Sequence, residues 1–430
     1  MVRTGNITVM TTGKLTNATQ IGSRARWLGC RWLGAALWMA LALPTTSDAA
    51  PRKPVVDTEV LEKLPLRTGD SSAREFADLR KAMNNAATDQ ALTSAAATLA
   101  ERYFDLALAR GDPRYVGYAE AVLARFSARP LPASLLLIRG LLRQYRHDFE
   151  GALSDFAAAL VLDPELAEAH AWRAAIHLVQ ADYAAAHQEC AALARLGRKT
   201  LYGGCNGLAQ AYGGQLEAGY RTLQQALEST RNADQRLWLL TRLGEVAAWR
   251  GQSAQAERHF REALQLGRDD GYLLAAWSDF LLDTGRADEV IQQLAGWESS
   301  DNLLLRLAEA DAILKRPTAT RRAQTLEDRF AAAKLRGDTT HRAEEARFRL
   351  HLRGDPAQAL RLAAENYHVQ REPRDARILL EAAIAAGDGA AAEAARAWLQ
   401  TSGFEDQRLR QLGLNSQRLM PMESRAAAQK

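Results

Sequence analysis

Three cysteines and 12 prolines in 430 residues, and no apolar run of 18 residues after the N-terminal segment, leave this chain few of the usual devices. With proline rare, β-branched runs scarce, and alanine, leucine, arginine and glutamate dominant, the local preference is helical over most of the length. No convincing strand is visible. The missing apolar run excludes a hydropathy-defined membrane span beyond the leader. Charge of one sign is missing too, although the whole chain carries a formal +4. Residues 1–49 hold five of the 55 basic residues and one of the 51 acidic ones, which leaves fifty of each sign in the remainder. A nucleic-acid partner therefore has no phosphate-attracting excess to meet, and none is expected.

Chemistry-bearing patterns are equally sparse. His170 and His177 are seven residues apart, and His187 and Glu189 follow, but no His-Glu-x-x-His or Cys-x-x-Cys spacing accompanies them. Solvated or groove-facing histidines account for them better than metal ligands. The pairs Gly203-Gly204 and Gly213-Gly214 lack a following Lys-Ser/Thr, so a phosphate loop is not expected. No catalytic constellation and no cofactor motif emerges, and the reading is non-enzymatic.

What is present begins with a leader. A basic segment containing Arg24, Arg26 and Arg31 precedes eleven apolar residues, Leu33 to Leu43, then Pro44 and the small residues Ser47, Ala49 and Ala50. That is the order of a secretory signal peptide over residues 1–49, with cleavage expected after Ala49. Eleven residues fall short of the ~20 that span hydrocarbon. The alternative is an uncleaved anchor with Trp32 and Trp38 at the membrane interface. Translation starting at Met10 would shorten the polar extension. Cys30 precedes the apolar run and is not read as a lipidation site. A periplasmic or secreted location follows.

Pro51, Pro54, Pro65 and Gly69 mark residues 50–70 as a linker. From Ser71 or Ser72 a helix carrying Phe76, Leu79 and Met83 is expected, then one from Gln90 to Arg110 with Tyr103, Phe104 and Leu108 on its apolar side. Gly111-Asp112-Pro113 turns the chain into a helix with Tyr118, Val122 and Phe126. Residues 148–164, DFEGALSDFAAALVLDP, then set the pattern: Gly140, Ala152, Phe156, Ala159 and Pro164 at fixed offsets. Related patterns start near 133, 167, 200 and 237, spaced by 34, 33 and 37 residues.

This spacing with these residues resembles the tetratricopeptide repeat, a helix-turn-helix unit of about 34 residues. The resemblance implies an all-α fold, an α-solenoid wound as a right-handed superhelix of antiparallel hairpins. Residues 71–132 would form an N-terminal degenerate repeat, 133–300 the clear units, 301–402 degenerate units, and 403–430 a short helix around Leu409 and Leu412 with a frayed tail from Asn415. A fifth unit near Gly271 has Val290 where a small residue is usual, a sixth is interrupted at Pro317, a seventh starts near His341 and an eighth near Arg374. Small residues at positions 8 and 20 let the two helices cross closely, and the large residue near position 24 is expected to fill the gap toward the next unit.

In such arrays the first helices line a groove, read at positions 2, 5, 9, 12 and 13. Transferred here, these positions give Gln144, Tyr145, Tyr212, Trp238, Glu245, Trp249, Tyr272, Asp279 and Asp283. The strip of aromatics and acids suits a protein or peptide partner, since Tyr and Trp supply contact area at low ordering cost. Packing between repeats is the competing role for Trp238 and Trp249. Lysine and arginine are missing from these positions in the first five units. An exported adaptor follows, or alternatively a scaffold of an envelope secretion or polysaccharide-export complex. Cys190 and Cys205 fall on helices that pack together in the repeat, and a disulfide and two buried thiols both remain open.

Overall fold

The computed structural model describes residues 71–420. The expected leader, the linker and the last ten residues lie outside them. No strand occurs among the described residues. A first helix, α1 (Ser71–Asn84), precedes nine helical hairpins. These are α2 (Asp89–Arg110) with α3 (Arg114–Ala124), α4 (Ala133–Tyr145) with α5 (Phe149–Leu162), and α6 (Ala167–Val179) with α7 (Tyr183–Arg195). Next come α8 (Lys199–Tyr212) with α9 (Leu216–Glu228), α10 (Ala233–Trp249) with α11 (Ser253–Gln265), and α12 (Gly271–Asp283) with α13 (Ala287–Gln293). The array continues through α14 (Asp301–Ile313) with α15 (Thr318–Leu335), and α16 (Arg342–His351) with α17 (Pro356–Tyr367). It ends with α18 (Pro373–Ala386) and α19 (Glu393–Ser402), followed by α20 (Gln407–Arg418).

Every hairpin turns through one left-handed residue. Gly111, Gly214, Gly251, Gly285, Gly354 and Gly387 take that place in six of the turns, while His147, Ala181 and Lys315 adopt φ of 60°, 61° and 53° in the other three. Asp148 and Asp182 then cap the second helices of their hairpins, accepting from Gly151 N and Ala185 N at 3.0 Å.

Close helix crossing explains the small residues. A Cβ on Gly219 would lie 2.4 Å from the Gly207 carbonyl oxygen, so positions 8 and 20 do meet. The large residue at position 24 covers position 8 of its own hairpin and, at Phe260, also reaches Trp277 and Phe280 of the next one, with ring centroids 5.6 and 5.7 Å away. A Cβ on Gly140 would stand 2.4 Å from the Phe156 ring, on Gly207 2.8 Å from Leu223, and on Gly244 2.7 Å from the Phe260 ring. Two expectations change. Leu108 points outward at 43% exposure, and α20 continues through Ser416, which is buried and receives a hydrogen bond from Arg396, so residues 415–418 are helical and not frayed.

The array closes on itself. Arg110, at the end of α2, pairs with Asp269 at 2.9 Å and lies over the Trp297 ring, and Gly271 at the start of α12 sits against the Leu108 carbonyl. The last hairpin and α20 lie across the turns of earlier units. Arg371 N donates to Val179 O at 2.7 Å, Trp398 Nε1 to the Tyr183 hydroxyl at 2.7 Å, and Leu216 N to Glu405 at 2.7 Å.

Candidate binding cleft

Where α10 and α12 face α18 and α20, a cavity of about 920 Å³ remains open. Glu245, Trp249, Tyr272, Asp279 and Asp283 line one side of it, and Arg374, Arg377 and Arg408 reach in from the other. Five of the nine groove residues expected from repeat position thus converge on one space.

The other four do not. Trp238 fits over Gly204 of the preceding hairpin, whose Cβ would be 2.2 Å from the indole, so its work is packing between repeats. Tyr145 meets Phe104 edge-on at 6.4 Å in the N-terminal core, where burial raises its hydroxyl to about 12. Gln144 precedes it at the end of α4, away from the cleft. Tyr212 is buried beneath the C-terminal segment, between Tyr183 and Trp249, and donates to Glu372 at 3.4 Å. The groove is therefore partly filled by the chain itself. Its physical cause is the return of the last hairpin across the turns of the earlier ones.

Beneath the cleft Glu245 accepts from Arg242 at 3.0 Å and from the Tyr272 hydroxyl at 2.7 Å, while the Arg242 guanidinium lies 4.2 Å from the Tyr272 ring centroid. Burial pushes the Glu245 carboxyl up, and Arg242 opposes that shift. Asp279 is only partly buried; desolvation would raise its carboxyl, but Arg306 and Arg347 hold it well below the usual range. Asp283 accepts from the two terminal Arg377 nitrogens, at 2.8 and 2.9 Å, and pairs with Arg408 at 2.5 Å. Further along, Glu309 and Glu381 both contact His351, at 2.9 and 3.5 Å. These carboxylates outweigh the effect of burial and raise His351 to about 9.

Arginine was expected to be absent from the groove positions, and it enters from elsewhere. Arg242 stands three positions before Glu245, Arg306 and Arg347 belong to degenerate units, and Arg374, Arg377 and Arg408 come from the returning segment. Charged groups of both signs, half-exposed at Arg374 and Arg408, can hold a polar or zwitterionic backbone beside the Trp249 ring. His170, considered above as a groove histidine, instead contacts Glu189 at 2.6 Å beside Arg173. Cys190 and Cys205 are joined as a disulfide with Cα atoms 5.6 Å apart, linking α7 to α8. Among the described residues no helix is long and apolar enough to cross a membrane.

No family model matches the chain, and no curated protein matches it. Among solved structures it is similar to the crystal structure of the P58(IPK) TPR domain, with 18% identity over 74% of this chain and 98% of that one and a TM-score of 0.20. So low a score carries no argument; the nine hairpins and their crossing geometry do. The fold is an all-α solenoid of tetratricopeptide-like hairpins.

Proposed function

We propose that this protein is an exported, non-enzymatic adaptor that holds a protein or peptide segment in the cleft between α10, α12, α18 and α20. The observation that carries this reading is the convergence of Glu245, Trp249, Tyr272, Asp279 and Asp283 with Arg374, Arg377 and Arg408 around an open space of about 920 Å³. Such a space suits a short extended segment: acids and guanidiniums pair with its charges and backbone, and Trp249 supplies apolar contact. Export rests on the leader pattern of residues 1–49.

Two measurements test it. Sequencing of the mature protein from a periplasmic fraction should begin at Ala50, and a retained Met1 or Met10 terminus would contradict cleavage. Capture from envelope extract should retain a partner with the native chain and with Arg195→Glu, on the exposed end of α7, and lose it with Arg374→Ala/Arg408→Ala. Capture unaffected by the cleft pair would place the binding surface elsewhere. Recovery of a whole membrane complex through other contacts would favour the envelope-scaffold reading.

A further inference from the structure

Glu405 and Asp406 in the cleft wall belong to a four-residue strap, residues 403–406, between α19 and α20. Gly403 ends α19 at φ 67°, and Asp406 caps α20 by accepting from Leu409 N at 2.9 Å. Arg410 donates to the carbonyl oxygens of Phe404 and Gly403 at 2.8 and 3.0 Å, so the strap is held in shape from its own side. What it presents to the earlier hairpins is a pair of side chains. Phe404, fully buried, lies between Trp249 and Trp398 with ring centroids 5.5 and 5.3 Å away. Glu405 remains exposed at the cleft wall, and its carboxylate accepts from Leu216 N, the first residue of α9. The Gln215 side chain makes no capping bond there, so the cap of α9 is supplied by Glu405. Gly214 completes the seat: a Cβ there would stand 2.4 Å from the Ser402 carbonyl oxygen and 2.8 Å from that of Gly403.

We propose that residues 403–406 are an internal ligand, and that the surface made by Trp249, Gly214 and the Leu216 amide reads an aromatic residue followed by an acid. The partner of the cleft carries the same pair and enters by displacing the strap. An aromatic anchor, a helix-end amide for the carboxylate and a glycine that admits backbone are the elements of extended-peptide recognition, here satisfied in cis. With the strap lifted, the cleft gains the Trp249 face that Phe404 now covers. This inference rests on the peptide-binding reading of the cleft and adds the chemistry of the peptide.

The test uses a labelled synthetic peptide of residues 400–409 and fluorescence anisotropy. It should bind the full chain carrying Phe404→Ala and Glu405→Gln, and bind the native chain at least about tenfold more weakly, because there the tethered strap competes at high effective concentration. The same peptide with Phe404→Ala, or with Glu405→Gln, should lose at least about tenfold in affinity for the variant chain. Equal binding to both chains, equal binding by the substituted peptides, or no binding to a variant with native helicity would overturn the proposal. A measurement on the native chain stands beside it in case the variant does not fold. The Leu216 amide should exchange with solvent through a local opening well below the global unfolding free energy. Exchange only by global unfolding would make the strap a fixed part of the fold and end the idea. Peptide binding here without capture from envelope extract would fail the adaptor reading alone, whereas cleft-dependent capture without peptide binding would fail this one alone.

Discussion

Phe404 rests edge-on against Trp249, with ring centroids 5.5 Å apart and planes inclined at 70°. The contact joins the last turn of α10 to the strap after α19, so an aromatic expected to wait for a partner is engaged by its own chain. The array is thus a coil whose end returns to its middle, and only the cleft beside that contact stays open.

The crossing geometry makes two glycine substitutions behave oppositely. Gly140→Ala forces a Cβ into the Phe156 ring at 2.4 Å and should cost about 1–3 kcal/mol by overpacking. Gly117→Ala, in α3 with no neighbouring atom within 4 Å, should stabilise by about 0.5–1 kcal/mol. Urea melts of the two variants check both signs.

Ala181 occupies the left-handed turn between α6 and α7 at φ 61°. Glycine fills the same place in six other hairpins, and Ala181→Gly relieves a conformation costly for any residue with a Cβ. A gain of about 0.5–1 kcal/mol in the same melts is expected, after the entropy that glycine loses is deducted.

Stability should fall as pH rises from mildly acid to alkaline. His351, raised to about 9 by Glu309 and Glu381 against the opposing effect of burial, contributes stability that is complete below its ordinary 6.5 and disappears as pH climbs through 9. Asp375, pushed up to about 7 by burial, adds a penalty that grows between its ordinary 3.8 and 7. Glu381 works the other way. Burial would raise it, but His351 and Arg377 bring it to about 2, so its contribution holds above 4.5 and is lost only as pH falls through 2. Melts from pH 4 to 10 should show the decline. His351→Gln should flatten its upper part and Asp375→Asn its lower part, and a flat native profile would refute the assignment.

The disulfide between Cys190 and Cys205 closes a loop of 15-residue separation. Reduction should cost about 3 kcal/mol. Alkylation followed by mass spectrometry should label both residues only after reductant, and labelling without it would show free thiols.

The hairpins were legible because their demands are local. Gly140, Ala152 and Phe156 are separated by one turn or one helix crossing, and packing at that range leaves a period in the chain. The turn conformation was legible at Gly285 and Gly354 but hidden at His147 and Ala181, where residues with a Cβ take the same φ. A second regularity runs through the same units. Arg139 pairs with Asp155 and Arg173 with Glu189, the same two positions 34 residues apart, and each pair staples the two helices of a hairpin. The cleft was only half legible. Repeat position brought out Glu245, Trp249, Tyr272, Asp279 and Asp283, which share one face of the array. Arg377, Arg408 and Phe404 could not be placed by position, because their contacts depend on how far the coil closes, and that accumulates from small rotations between hairpins.

The central claim is that the last hairpin and α20 fold back onto the earlier first helices, and Asp283 with Arg377 reports on it most directly. Neither residue touches the other unless α18 lies against the end of α12. A double-mutant cycle with Asp283→Ala and Arg377→Ala, read by urea unfolding, should give a coupling above about 0.5 kcal/mol. Additive effects within about 0.3 kcal/mol would contradict the closed array.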